Sequence, residues 1–326
     1  MSFRLGMAFP LKALVTGAIL AVALTRVDRS AVTNVLSRVE LLYFLLGTSI
    51  ALPMGFTGVQ RWRCVAARFG EALPLSKAFV YASIGQFINL GLPTALGLDS
   101  VRAWKMHKQG ISIGLATRIV IVDRLCSLFT LLIIIALGIN HLAGLRGNEI
   151  FKHSAMLTLV FGSASIGVFT TVQWWGRYIP PSSRAKHLYQ LSKDFNYALF
   201  ASKIWAVKII SWSACNHLCR VAMVLSLALA LGISVSPSDA FTLVPVALLI
   251  SMVPISLAGW GVREVIFIQA FSLASVAPSH ALALSLLYGL VGLITGLLGG
   301  AVWLTERSLQ KPPITPSQSE PQACAK

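Results

Sequence analysis

Seven charged residues within or beside strongly apolar stretches are the side chains of this sequence that could do chemistry. They are Asp99, Arg102, Asp123, Arg124, Arg220, Arg263 and Glu264. Placing one such charge in a bilayer costs about 2.5–3.5 kcal/mol on insertion scales, so each needs a partner, a ligand or a wet cavity. Because neighbours in a helix do not face each other, Asp123 and Arg124 are expected to have different partners.

The chemistry that this set suits is the binding of an anionic lipid headgroup. A half-helix that begins after Gly259-Trp260-Gly261 would point the positive end of its dipole and its unpaired N–H groups inward, toward phosphate oxygens. Arg124, Arg220 and Arg263 could add charge-assisted contacts. An anion does not cross about 30 Å of hydrocarbon unaided, and a polar groove lined by these groups would lower that barrier.

Structural roles are the alternatives for two of these groups. Asp99 is well placed as the N-cap of a helix that Gly110 would close. Arg263 and Glu264 could form a structural ion pair; if they bind substrate instead, both single alanine variants should fold and lose activity. On the binding hypothesis, the charges at 99–102 and 263–264 line one cavity near the bundle centre, with Asp123, Arg124 and Arg220 on its walls.

The stretch at 205–231 carries a polar stripe along one helical face, formed by Ser213, Asn216, His217 and Arg220. Arg220 lies near the middle of this stretch, so we expect it to face the bundle interior. His217 is interpreted as a structural histidine rather than a proton carrier.

The composition excludes most soluble classes. The 326 residues are 56% hydrophobic and 12% charged, with a mean hydropathy of +0.76, whereas soluble domains are about 45–50% apolar and about 25% charged. The apolar residues form long runs such as 128–138 rather than the alternation of a membrane β-barrel. The sequence therefore predicts an all-α, polytopic helical membrane bundle.

The excess of basic residues indicates membrane topology rather than nucleic-acid binding. Lys and Arg number 27 against 11 Asp and Glu, a formal net charge of +16. They lie mainly between apolar runs, where they fix orientation and contact anionic headgroups. The five cysteines form no disulfide framework, and neither a metal site nor a cofactor is expected.

About six full spans are predicted, with both termini on the cytoplasmic side of the plasma (inner) membrane. They lie near residues 7–24, 40–56, 115–138, 154–174, 205–231 and 281–304. Two further apolar stretches, 79–96 and 241–275, are predicted to be broken, re-entrant helices that enter from opposite faces. Gly91 and Pro93 interrupt the first, and the loops around the second carry no Lys or Arg. The segments on both sides of the first are predicted to be cytoplasmic, because they carry Arg61, Arg63, Arg68 and Lys77 before it and Arg102, Lys105 and Lys108 after it.

The chain is expected to form a single transmembrane domain, residues 1–308, followed by a disordered Pro-rich tail, residues 309–326. Motifs of soluble catalysis such as a P-loop, HExxH or GxSxG are absent from the sequence. We therefore expect no enzyme, and any transport would be downhill or coupled to an ion gradient.

Three motifs resemble those of the lysylphosphatidylglycerol synthase transmembrane region, a flippase-like family also called uncharacterised protein family 0104. They are GQFINLGLPTALGLDSVRAWKMHKQG, RIVIVDR and VPISLAGWGVREVIF. The matching positions are Asn89, Pro93, Gly97, Asp99, Arg102, Asp123, Arg124, Pro254, Gly259, Gly261, Arg263 and Glu264. Leu98 departs from the pattern, because it replaces the second glycine of Gly-Gly-Asp.

The resemblance covers about residues 10–305 and implies a lipid flippase-type domain without the soluble lysyl-transferring domain of longer relatives. Together with the arginines, it predicts a flippase or carrier for an anionic or isoprenoid-linked lipid. The predicted binding site comprises these motif residues, except Gly97 and Pro254, together with Arg220. The alternatives are a non-transporting accessory subunit of a lipid or glycolipid pathway and an intramembrane transferase. Expected partners are membrane lipids, lipid-biosynthesis proteins or a second copy of the chain, and no nucleic acid.

Overall fold

A computed structural model of the protein describes residues 29–91, 96–145, 147–175, 183–251 and 261–309. All regular structure in these ranges is α-helical, which confirms the predicted fold class. In chain order the helices are α1 (Arg29–Ser37), α2 (Leu41–Ser49), α3 (Ala51–Arg68), α4 (Leu75–Gly91), α5 (Leu96–His107), α6 (Ile113–Gly144), α7 (Glu149–Thr171), α8 (Ser183–Leu199), α9 (Lys203–Ala230), α10 (Pro237–Ser251), α11 (Val262–Ser272) and α12 (Pro278–Leu309). The predicted C-terminal tail was to begin at Leu309, which instead ends α12, and residues 310–326 lie outside the described residues.

Five helical segments of the described chain are long and apolar enough to cross a bilayer. They are Leu41–Arg68, Ile113–Gly144, Glu149–Thr171, Lys203–Ala230 and Pro278–Glu306. They overlap five of the six predicted spans, and the N-terminal one lies outside the described residues. The second span was predicted to end near residue 56, but its helix continues to Arg68, which brings Arg61 into the bundle.

Local sequence explains where several helices begin and end. The Ser112 side chain accepts a hydrogen bond from the Leu115 backbone N–H at the start of α6, and Asn148 does the same for Phe151 at the start of α7. After α5, Gly110 adopts a φ of +95°, a left-handed conformation that glycine tolerates best. The prediction that Gly110 closes this helix is confirmed.

The first predicted re-entrant segment is a pair of short helices, α4 and α5, that pack side by side. A Cβ atom at Gly85 would lie 3.0 Å from the Cα atom of Leu98, so the two backbones touch near the break. At the outer end, Gln109 donates to the Tyr81 hydroxyl. The pair is therefore antiparallel, and residues 92–95, which include Pro93, lie outside the described residues.

The second segment predicted to be re-entrant is the pair α10 and α11, which also contact each other. Asp239, near the start of α10, lies 2.8 Å from the imidazole of His141, and Asn148 donates to Gln269 near the end of α11. Both outer ends therefore lie beside the α6–α7 connection. The predicted Gly-Trp break falls in 252–260, outside the described residues.

The two helix pairs open toward opposite ends of the bundle, as the sequence predicts. Lys105 of α5 forms a 2.5 Å ion pair with Glu306 near the end of α12, whereas the α10–α11 pair opens beside the start of α12. We call the end with Lys105 and Glu306 the near end, and the end with His141 and Asp239 the far end. Two hydrophobic clusters hold the bundle, one around Trp62, Ile119 and Phe195 and one around Phe267 and Phe271.

The near end is predicted to be cytoplasmic, with residues 97–112 and 175–204 on that side of the membrane, because these segments are rich in Lys and Arg. In a background without the native cysteines, Lys108→Cys should resist a membrane-impermeant maleimide added to intact cells and react after permeabilisation. Ser238→Cys, exposed at the far end, serves as the matched control and should react without permeabilisation. Efficient labelling of Lys108→Cys in intact cells would contradict this topology.

Candidate functional site

Asp123 is the centre of an ion-pair cluster in the near-end half of the bundle, and its side chain is fully buried. Arg61 forms a bidentate contact with it, from Nε to Oδ1 at 2.8 Å and from Nη2 to Oδ2 at 3.2 Å. Arg102 adds a third hydrogen bond, from Nη1 to Oδ2 at 3.0 Å. Two guanidinium groups from α3 and α5 thus share one carboxylate of α6.

Arg124 points to a second carboxylate, that of Asp99. Its Nε lies 2.8 Å from Oδ2 and 3.0 Å from Oδ1 of Asp99, while Arg102 Nη1 lies 3.7 Å from Asp99 Oδ1. The prediction that Asp123 and Arg124 have different partners is confirmed. The N-cap interpretation of Asp99 is wrong, because α5 begins at Leu96 and Asp99 lies within its first turn.

The cluster holds three arginines and two carboxylates, so its formal charge is +1. Arg102 stacks on Trp62, with its guanidinium carbon 4.0 Å from the ring centroid, and a cation–π contact partly offsets burial of the charge. Its Nε is buried and has no acceptor within the described residues. Arg124 is the most accessible member, with 38% of its side chain exposed.

Polar contacts continue from this cluster toward the far end. Arg61 Nη1 donates to the Ser127 hydroxyl at 3.0 Å. His217 Nε2 lies 3.1 Å from the carbonyl oxygen of Ser127, and Asn216 donates to the Met54 carbonyl at 2.6 Å. The polar stripe predicted for α9 thus faces the bundle interior, where Ser213, Asn216 and His217 are buried, and His217 packs as a structural residue beside Ser127.

Arg220 and Tyr288 form the next step along this path. Arg220 Nη1 donates to the Tyr288 hydroxyl at 3.1 Å. On the other side, the guanidinium carbon of Arg263 lies 5.7 Å from the centroid of the Tyr288 ring. Tyr288 thus contacts an arginine from α9 and another from α11.

Glu264 organises the far-end part of the site and is fully buried. Its Oε1 accepts from Arg263 Nη2 at 2.6 Å and from the Ser285 hydroxyl at 3.2 Å, and its Oε2 accepts from the Gly261 N–H at 2.5 Å. The start of α11 is therefore capped by its own carboxylate. The N–H group of Gly261 is therefore not free to bind a phosphate, and whether the N–H groups that follow it in α11 do so stays a prediction.

The predicted site residues thus fall into two groups, one around Asp123 and one around Glu264, joined through Arg220. Asn89 lies apart from the hydrogen bonds of both groups, and its Oδ1 is buried without a partner among the described residues. Pro93 and Gly259 lie outside the described residues. The single cavity predicted to join both groups stays a prediction. In the described part of the chain, no three His, Cys, Asp or Glu side chains come together to hold a metal ion.

Arg61 and Tyr288 are the functional candidates that sequence reasoning missed. The signal for Arg61 was present, because Val59, Trp62, Val65 and Ala66 follow helical spacing and are all buried. It was outweighed by Arg63 and Arg68, which made the segment resemble a cytoplasmic loop. A single tyrosine in an apolar span offers no comparable signal for Tyr288.

Comparison with known proteins agrees with this architecture. The family model described as the lysylphosphatidylglycerol synthase TM region matches residues 10–300. The chain is also similar to the UPF0104 membrane protein MJ1595 of Methanocaldococcus jannaschii, with 24% identity over 290 residues that cover 82% of this chain and 86% of that protein. Five helical segments of the described residues are long and apolar enough to cross a membrane, which fits a multi-pass membrane protein. The chain therefore belongs to the lysylphosphatidylglycerol synthase transmembrane region family.

Proposed function

We propose that the protein is a flippase or carrier that moves an anionic or isoprenoid-linked lipid between the leaflets of the inner membrane. The observation that carries this proposal is an excess of cationic side chains in the bundle interior. The interior holds three carboxylates, those of Asp99, Asp123 and Glu264. It holds five arginines, which are Arg61, Arg102, Arg124, Arg220 and Arg263. Among the described residues, the interior therefore carries two formal positive charges, which anionic ligands would neutralise.

The cost of these charges makes an anionic ligand the natural partner. A buried ion that lacks a counter-charge costs several kcal/mol, even after relaxation and water penetration. A lipid phosphate would offset that cost through charge-assisted hydrogen bonds. Its acyl or isoprenoid chains would stay in the surrounding hydrocarbon, so only the headgroup needs a polar route.

The headgroup is proposed to bind first at Arg124 and Arg102. Arg124 is the accessible arginine of the near-end cluster, and the Nε of Arg102 still needs an acceptor. From there, the proposed route of the headgroup toward the far end passes four polar side chains, those of Ser127, His217, Arg220 and Tyr288. Arginine side chains, rather than the N–H group of Gly261 before α11, are thus the proposed phosphate ligands, because Glu264 already occupies that N–H group.

The carboxylates support a role in transport rather than catalysis. General acid–base chemistry needs a group that exchanges protons with a substrate within hydrogen-bond reach. Asp123 and Glu264 are fully buried, and each is bound to arginine. We therefore propose that the protein is not an enzyme. If the protein were instead an accessory subunit, the same ion pairs would serve only to stabilise its fold.

Leaflet exchange in reconstituted liposomes tests the proposal. Headgroup-intact fluorescent phosphatidylglycerol should redistribute faster than in protein-free vesicles, and faster than fluorescent phosphatidylcholine. Arg124→Gln should slow this exchange about tenfold or more, as expected for loss of a hydrogen bond to a charged group. The matched control is Arg118→Gln, on the same helix and with a similar exposure of 33%, which should leave the rate unchanged.

Two outcomes would contradict the proposal in different ways. If no anionic or isoprenoid-phosphate lipid redistributes faster than in protein-free vesicles, the accessory-subunit alternative replaces transport. If anionic lipid moves but Arg124→Gln exchanges it at the wild-type rate, transport stands and the assignment of the first binding position is wrong.

A further inference from the structure

Arg220 is a cation in the middle of a long apolar helix and has no carboxylate partner among the described residues. It lies ten residues before Ala230, the far end of α9, which is about 15 Å along the axis at about 1.5 Å per residue. The near end of α9, at Lys203, is farther still. Lysine and arginine near helix ends extend their side chains to the membrane interface. A residue at the depth of Arg220 is too far from either interface to do so.

The interior carboxylates of the described chain are all bound to other arginines. Asp99 pairs with Arg124, Asp123 with Arg61 and Arg102, and Glu264 with Arg263. The two segments between the paired short helices, 92–95 and 252–260, contain no acidic residue. The hydrogen bond of Arg220 within the described residues is the neutral one to Tyr288.

We propose that Arg220 and Tyr288 form a second anion site, midway through the bundle, for the headgroup of a lipid phosphodiester. This inference rests on the proposed function for its ligand. The Tyr288 oxygen accepts from Arg220 Nη1, so its own O–H can donate to a phosphate oxygen. The remaining N–H groups of the guanidinium supply parallel donors to the same anion.

The distribution of charge selects a headgroup with one negative charge. The near-end cluster has an excess of one positive charge, and the Arg220 site has another, because Glu264 neutralises Arg263. Ser127 and His217 lie between the two sites, and His217 and Arg220 are three residues apart on one helical face. A phosphodiester carries one negative charge and neutralises either site completely, whereas a doubly charged headgroup would leave the occupied site with an excess negative charge.

Binding stoichiometry of the full-length protein in detergent tests the second site. Native mass spectrometry with dioctanoyl phosphatidylglycerol should show two bound lipids per wild-type chain, and fewer with zwitterionic dioctanoyl phosphatidylcholine. Arg220→Gln should retain one phosphatidylglycerol and lose the second, a fall in affinity of about tenfold or more. Arg220→Lys should keep part of the second binding event, and Arg118→Gln should keep both.

The outcomes separate this site from the proposed function. Retention of two phosphatidylglycerol molecules by Arg220→Gln would overturn the second site. If Arg220→Gln does not fold, Tyr288→Phe decides: weaker second binding supports the site, and unchanged binding overturns it. Lipid exchange by the wild-type protein is measured independently. If the protein binds two lipids and exchanges none between leaflets, the second site is supported and the proposed transport is contradicted.

Discussion

Replacement of Asp123 by asparagine is expected to leave most of the protein unfolded at physiological temperature. The Asp123 carboxylate is fully buried and binds both Arg61 and Arg102. Asparagine would leave these two buried cations without their shared counter-charge. Removal of one partner from a buried pair costs about 3–5 kcal/mol, a large part of the usual stability of a folded protein. Thermal unfolding in detergent and the monodisperse fraction after size exclusion measure the loss.

Two further variants identify the cause of that loss. Asp239→Asn removes the partner of His141, whose side chain is 40% exposed, and should cost about 1 kcal/mol or less. Adding Arg61→Gln to Asp123→Asn should restore part of the stability, because Arg102 then keeps Asp99 at 3.7 Å. If the thermal unfolding midpoint of Asp123→Asn equals that of Asp239→Asn, Asp123 does not hold the cluster together.

The overall architecture could be predicted because it follows from local and statistical properties of the chain. Long apolar runs predicted spanning helices, and basic residues on both sides of 79–96 predicted a segment that returns to its own side. Helical geometry alone separated the partners of Asp123 and Arg124. Each of these arguments needs only neighbouring residues or charge counts, so no knowledge of packing was required.

The centre of the site could not be predicted, because it depends on contacts between distant segments. Arg61 and Asp123 are 62 positions apart in the sequence, and no local pattern specifies which carboxylate a guanidinium will meet. Arg61 was also assigned to a loop, since three arginines between 61 and 68 weigh against a spanning helix on hydropathy alone. Its burial is possible because Asp123 and the Ser127 hydroxyl satisfy its donors.

Glu264 shows how a helix start changes a rule that holds inside helices. Adjacent helical residues normally point apart, yet Arg263 and Glu264 form a 2.6 Å pair. The Glu264 side chain turns back to accept the N–H of Gly261, whose φ of +88° begins the helix. This turn brings its other oxygen within reach of Arg263, so the ion pair is a consequence of the cap.

Glu264→Ala is accordingly expected to prevent folding, in contrast to the sequence-based expectation that it abolishes activity alone. Alanine would leave Arg263 without its carboxylate and the Gly261 N–H and Ser285 hydroxyl without an acceptor. The lost pair costs about 3–5 kcal/mol, and the lost cap about 1 kcal/mol more. Thermal unfolding and the yield of monodisperse protein measure the effect. The control is Glu149→Ala, also in the first turn of a helix but with 64% of its side chain exposed, which should cost about 1 kcal/mol or less.

The charge-swapped variant, Arg263→Glu combined with Glu264→Arg, separates the cap from the ion pair. It keeps one charge of each sign, but an arginine at position 264 cannot accept a hydrogen bond from Gly261. We therefore expect the swap to remain as poorly folded as Glu264→Ala. Glu264→Gln keeps an acceptor oxygen and loses the charge. Its thermal unfolding midpoint should therefore lie between those of the wild type and of Glu264→Ala. Recovery of wild-type stability by the swap would mean that charge pairing alone holds this region, and that the contact with Gly261 contributes little.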